Sequence, residues 1–313
     1  MTTVLLPQAD AGPQAAGSAP EPPREELARR LVRAAAKRSF DPDVDIEWPA
    51  HVDDDRFFIP EHRVSLYGTH LWERMTPAQR IALSRHEVAS MAQAGVWFEL
   101  ILGQLLIRFI YDERYTSQHT RWALTEIADE CRHSSMFARL VETLGGEQHA
   151  PSPRTLRLGR LMKTIADPVE GFADILIAEE ILDRYQRELM IDESVQPLTR
   201  AVSRLHVIEE ARHVKFARDE LTRRVRRLSG FQLERVRVVV AISAAVVASA
   251  LVTPSCYAAV GLDSDDAVRT ARTSPVRRAS LRWAAERLTA YFSEIGLIGG
   301  PSVRIWRRAG LLA

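Results

Sequence analysis

At 313 residues and 35.3 kDa the chain is long enough to bury a substantial core without disulfides or metals to hold it together. Its 46% apolar and 27% charged residues are those of an ordinary globular protein, and a net charge of +1 supplies no overall attraction to nucleic acid or an anionic membrane. Two cysteines, Cys131 and Cys256, with no paired spacing, argue against a disulfide framework or a thiolate zinc site and suit a reducing cytoplasm.

Residues 1–24 are rich in Ala, Pro and Gln and lack the charged start and apolar run of a signal peptide, so a disordered tail is expected there, with a single domain over 25–313. Glu25 to Lys37 reads as a short basic helix. Ser39 to Tyr67 reads as irregular, with Pro42, Pro49, Pro60 and the acidic run Asp53-Asp54-Asp55. At Thr76-Pro77, a good N-cap with proline in the first turn, the pattern turns helical and stays so. The spacing predicts helices at about 77–112, 116–144, 168–191, 195–228, 231–252 and 276–294, then a short one at about 301–310. Gly145-Gly146, Pro151, Pro153, Pro168, Gly230 and Gly299-Gly300 punctuate them. The most apolar stretch, Val238–Val252, has 15 residues and stops at Pro254, short of the ~20 that span a bilayer, so it is expected as a buried core helix. No segment alternates with a period of two. The chain reads as all-α, a bundle of long antiparallel helices with further helices after it.

Acidic residues and histidines interrupt the apolar stripes of four of these helices. Glu99 stands between Gly95 and Leu102. Glu130 and His133 share a face at i, i+3. Glu179 follows Phe172 and Ile175, and His206, Glu210 and His213 stand at i, i+4 and i+7. An ionised carboxylate on an apolar stripe is costly unless it is paired or binds metal. One Glu-x-x-His on a helix means little, but here the motif occurs twice, each time behind an isolated glutamate. The separations 130 − 99 and 210 − 179 are both 31, as two helical hairpins packed face to face require. The repeat selects Glu179 over Glu180, whose stripe continues into Asp183 and Arg184. Four acids offset the charge of two divalent ions, and an imidazole for each completes a mixed N/O sphere. Asp129 and Glu209 precede the two motif glutamates and are placed to reach a histidine of the partner helix. Cys131 points off the ligand face and is expected as a packed small residue.

His206 breaks the symmetry, since its counterpart four residues before Glu130 is Glu126. It is a candidate seventh ligand, against a plain hydrogen-bonded core histidine. The set Glu99, Glu130-x-x-His133, Glu179 and His206-x-x-x-Glu210-x-x-His213 resembles the AurF-like family of diiron N-oxygenases. So do the Ser65-Leu-Tyr-Gly-Thr-His-Leu-Trp72 segment and the run from Asp129 to Met136. The resemblance covers roughly residues 45–225. It implies a ferritin-like core, two iron ions, a third histidine on one of them and a homodimer. It also implies O2-dependent oxidation of an amine to hydroxylamine, nitroso or nitro products, as in specialised metabolism. Carbon hydroxylation or desaturation on the same scaffold is an alternative. Ferritin-type storage ranks lower, because about 85 residues follow the last bundle helix. No flavin, haem or iron–sulfur motif is visible, so an external electron donor, a separate reductase, is expected. The partners expected are a small-molecule amine, free or carrier-tethered, and no nucleic acid or membrane. Arg304 in the terminal Arg-Ile-Trp-Arg-Arg segment is a candidate for a substrate carboxylate.

Overall fold

Capping chemistry sets where the long helices begin. At Thr76 the side chain accepts from the Gln79 N–H while the Gln79 side chain accepts from the Thr76 N–H, and Pro77 sits where its missing N–H costs nothing. Asp167 and Glu170 repeat this reciprocal bonding ahead of Pro168. Ser117 and Ser229 cap two more helices through their hydroxyls. At Gln196 the cap is unusual: its side chain leaves the helix and bonds the backbone of Asp53 and Arg56, tying the chain's early loop to a bundle helix.

The computed structural model describes residues 23–48 and 52–313. In chain order the helices are α1 (Pro23–Lys37), α2 (Pro42–Asp45), α3 (His70–Arg74), α4 (Pro77–Tyr111), α5 (Gln118–Thr143), α6 (Pro153–Ile165) and α7 (Pro168–Leu189). They continue as α8 (Pro197–Val225), α9 (Gly230–Ala250), α10 (Pro254–Ala259), α11 (Ser264–Thr273), α12 (Pro275–Glu294) and α13 (Val303–Arg308). Among the described residues there is no strand. The fold is all-α.

Two hairpins, α4–α5 and α7–α8, close face to face through α4–α7 and α5–α8 contacts into a ferritin-like four-helix bundle. Alpha-helix α6 carries the chain from one hairpin to the other. Around this core α1 lies along α5, α12 and α9 flank α7, α10 sits on α4, and α13 packs on α9. The centre is filled by Leu83, Leu106, Trp122, Met136, Leu176, Ile177 and Phe216, each essentially without solvent exposure. Each contributes roughly 1.5–3 kcal/mol by burial. Close approach is bought by small residues at two points. A Cβ on Gly159 of α6 would lie 2.3 Å from the Trp97 ring of α4, and one on Gly95 would lie 3.1 Å from Phe137 of α5.

Several expectations need correction. The predicted break at Pro151 and Pro153 hides α6, because Ser152 caps that helix and Pro153 occupies its first turn. The expected irregular stretch 39–67 contains α2, and α3, α10 and α11 are further short helices that the periodicity did not reveal. The tail expected over 1–24 lies outside the described residues for 1–22. Residues 23 and 24 instead open α1, where Arg24 bonds Glu220. Cys131 is exposed rather than packed. The Val238–Val252 stretch lies mostly in α9 and is buried on one side, at Val240, Ala241, Ala244 and Val247, with Ile242 exposed. By length and composition, Pro77–Tyr111 and Gly230–Ala259 would suffice to cross a membrane, and 44% and 50% of those windows are packed inside the protein.

Candidate metal centre

The bundle axis is lined by charge. Glu99 from α4, Glu130 and His133 from α5, Glu179 from α7, and His206, Glu210 and His213 from α8 are each 3% exposed or less. Three overlapping groups, Glu130/His133/Glu210/His213, Glu99/His133/His206 and Glu179/His206/Glu210, hold their donor atoms within 4.8 Å of one another. All seven residues singled out by spacing converge on one place. Glu180, the neighbour that the 31-residue spacing passes over, accepts from Arg218 of α8.

Each imidazole is held by both its nitrogens. His133 Nδ1 faces inward, 3.0 Å from Glu130 and 3.3 Å from Glu210, while Nε2 lies 3.0 Å from Glu209. His213 Nδ1 is 2.9 Å from both Glu130 and Glu210, and its Nε2 is 3.2 Å from Asp129. Asp129 and Glu209 thus reach across the bundle, each gripping the histidine of the other hairpin. A carboxylate on the outer nitrogen fixes the ring and leaves the inner one free to ligate. Arg212 bonds Glu209 at 3.3 Å and approaches Asp129 at 3.7 Å, so this outer layer is itself paired. His206 is oriented differently. Its Nδ1–H donates to Gln186 Oε1 at 2.8 Å, and Nε2 points at Glu99 (3.4 Å), Glu210 (3.8 Å) and Glu179 (4.0 Å).

Sequence reasoning missed Gln186, Phe137 and Trp122. Phe137 packs on the His206 ring at 4.9 Å and Trp122 on His213 at 5.8 Å. A glutamine one turn before a helix end and an aromatic at a core position carry no signal of their own. Glu126, fully buried one turn before Glu130, was seen only as the counterpart of His206. Burial pushes its carboxyl up to about 8, with His213 opposing and Glu130 and Glu210 adding to the rise.

The electrostatics of the cluster suit cations. Burial, and then the other carboxylates, hold Glu99 and Glu179 well above the usual carboxylate range. Glu130 is held down to about 2 although burial opposes it, because His213 and His133 lie against it. Burial, then His133, pushes His206 down to about 4. Glu99 Oε2, both oxygens of Glu179 and Glu210 Oε2 are buried without a hydrogen-bond donor among the described residues. Orphaned buried carboxylate oxygens among inward-facing imidazole nitrogens fit divalent cations, which would satisfy the oxygens and offset the four negative charges together.

Two small, mostly apolar cavities lie between the helices. One of about 50 Å³ is lined by Val88, Met91, Phe137, Leu182, Gln186 and Val202. Another of about 60 Å³ is lined by Trp97, Phe98, Ile101, Ile175 and Ala178, with Asp174 and Ser243 among its walls. Burial pushes the Asp174 carboxyl up to about 7 against the neighbouring Ser243 hydroxyl. Arg304, the expected substrate contact, is exposed on α13, the helix that packs on α9, and lines neither cavity.

Comparison with known proteins places this arrangement. The chain is 32% identical over 218 residues to the uncharacterized protein Rv0885 of Mycobacterium tuberculosis (strain ATCC 25618 / H37Rv) and equally to Mb0909 of Mycobacterium bovis. The match covers 66% of this chain and 63% of those proteins, so it spans less than two thirds of their length. Among solved structures, a variant of an R2-like ligand-binding oxidase with an aerobically reconstituted Mn/Fe cofactor aligns at TM-score 0.49 and 14% identity. That alignment covers 89% of this chain and 94% of that one. The sequence profile of p-aminobenzoate N-oxygenase AurF matches residues 21–296, nearly the whole chain, and the protein therefore belongs to the AurF family.

Proposed function

We propose that this protein is an O2-dependent non-haem diiron monooxygenase that oxidises an amine nitrogen, first to the hydroxylamine and onward to nitroso or nitro products, in specialised metabolism. The observation that carries the reading is the third imidazole, His206, aimed by Gln186 at Glu99, Glu179 and Glu210 inside an otherwise two-fold repeated donor set. Membership of the AurF family supports the nitrogen-directed chemistry.

In this reading Glu99, Glu130, His133, Glu179, His206, Glu210 and His213 would hold two iron ions, which would supply the redox chemistry that activates O2. The protein's own part is positional. Asp129 and Glu209 fix the His213 and His133 rings, and Gln186 sets His206 with its Nε2 lone pair inward. The bundle core keeps water away. Inserting one oxygen atom into an N–H bond and reducing the other to water consumes two electrons and two protons per turnover, which a separate reductase supplies. Exposed Leu100, Ile107 and Tyr111 on one face of α4 and Leu161 and Ile165 on α6 support a homodimer. A cytoplasmic location follows the cysteine usage.

The test is single-turnover reaction of the iron-loaded, chemically reduced protein with labelled O2 and a panel of amines, read by mass spectrometry. Label on nitrogen is expected. Label on carbon, or a desaturated product, would replace this reading with a carbon-directed one on the same scaffold.

A further inference from the structure

A second set of metal-type donors lies well away from the bundle centre. His86 stands on α4, thirteen residues before Glu99 and so about 20 Å along the helix. Facing it, from the loop between α5 and α6, come Glu147 and His149. His86 Nδ1 is 3.2 Å from His149 Nε2 and 3.1 Å from Glu147 Oε2, and the last two atoms are 4.0 Å apart. Both histidines are almost wholly buried, while the Glu147 side chain is 50% exposed.

The loop is held in this geometry by other groups. Gln93, two turns along α4 from His86, donates from Nε2 to the Glu147 carbonyl at 2.8 Å and accepts the His149 N–H at 2.8 Å. Ser255, in the first turn of α10, lies 2.8 Å from His149 Nδ1. With the hydroxyl accepting the Nδ1–H, the His149 Nε2 lone pair faces His86, the orientation that an outer partner imposes on a ligating imidazole. Burial pushes both imidazoles down, with Glu147 opposing.

We propose that His86, Glu147 and His149 form a separate site for one zinc-class divalent cation, clipping the α5–α6 loop and α10 to α4. Zinc bonds of roughly 2.0–2.2 Å set tetrahedral donors about 3.3 Å apart. Two of the three spacings fall near that value, and the third closes with a small swing of the exposed Glu147 side chain. Glu147's solvent face leaves the fourth position to water. Two imidazoles and one carboxylate without thiolate select zinc over calcium or magnesium. The alternative is a metal-free network in which the His86 Nδ1–H is shared between His149 and Glu147.

The experiment titrates iron-loaded protein with zinc chloride and measures bound metal and melting temperature, for wild type, Glu147→Gln and His149→Gln. Wild type is expected to take up one zinc beyond its iron and to melt several degrees higher. In Glu147→Gln, whose exposed position spares the fold, zinc affinity falls at least tenfold with iron content unchanged. In His149→Gln the extra zinc is lost. Cobalt substitution in wild type gives the visible absorption of a four-coordinate N/O site. Wild type that binds no zinc beyond iron, or uptake and melting equal in wild type and Glu147→Gln, overturns the proposal. The comparison between variants reads this site whether or not the bundle centre performs amine oxidation.

Discussion

His133 and Glu209 belong to different hairpins, and the imidazole Nε2 meets the carboxylate across 3.0 Å of fully buried space. The mirror pair, His213 and Asp129, sits at 3.2 Å. These crossed contacts orient both rings so that each Nδ1 faces Glu130 and Glu210. They also couple the hairpins, since neither α5 nor α8 can rotate without losing a bond to the other.

Removing either outer carboxylate should weaken metal binding more than the fold. Glu209→Ala and Asp129→Ala are expected to lower metal affinity by about 10–100-fold while helicity is kept, as loss of a ligand's orienting partner does. Competition with a chelator of known affinity measures this. Wild-type affinity in both variants would show that these carboxylates do not orient ligands.

The inner residues should be less forgiving. Glu130→Ala or His213→Ala is expected to drop bound iron well below two per chain. His206→Ala keeps the fold and changes the reaction with O2, because its ring is backed by Gln186 rather than by a charged partner. Metal analysis of purified protein and stopped-flow absorbance separate these outcomes. Two irons retained in both of the first variants would refute the ligand assignment.

Gly95 tests the packing behind His206. A methyl group there would lie 3.1 Å from the Phe137 ring, which rests on His206 at 4.9 Å. Gly95→Ala is expected to destabilise by about 1–3 kcal/mol, the usual cost of overfilling a packed core, although alanine is the better helix former. Thermal unfolding gives the stability. The gain in stability that propensity alone would give would mean that Phe137 moves freely.

Asp174 predicts a pH dependence. Its folded pKa is raised to about 7 by burial, against about 3.9 in the unfolded chain. The folded state therefore binds the proton more tightly. This stabilisation is complete below the unfolded value and is lost as pH rises through about 7. Each pKa unit corresponds to about 1.4 kcal/mol, so the difference in unfolding free energy between wild type and Asp174→Asn should change by a few kcal/mol from pH 5 to pH 8. Urea unfolding at the two pH values measures it. A difference independent of pH would place the Asp174 proton in the unfolded state's range.

The helical bundle and its candidate donors are legible in the sequence. The Thr76-Pro77 cap marks a helix start, and a carboxylate or imidazole on an apolar stripe is conspicuous because burying it alone is costly. The equal 31-residue spacings made four helices into two matched halves and chose Glu179, which the structure turns inward while Glu180 meets Arg218. Periodicity reads one helix at a time, so it missed α6, whose opening prolines look like a break. It gave no notice of Gln186 behind His206, or of His86 facing His149 across 63 residues of sequence. It offered Arg304, which the tertiary structure leaves exposed on the last helix. Contacts between elements depend on how helices are rotated and packed against one another. That information lies in the complementarity of whole faces, not in the spacing along any one of them.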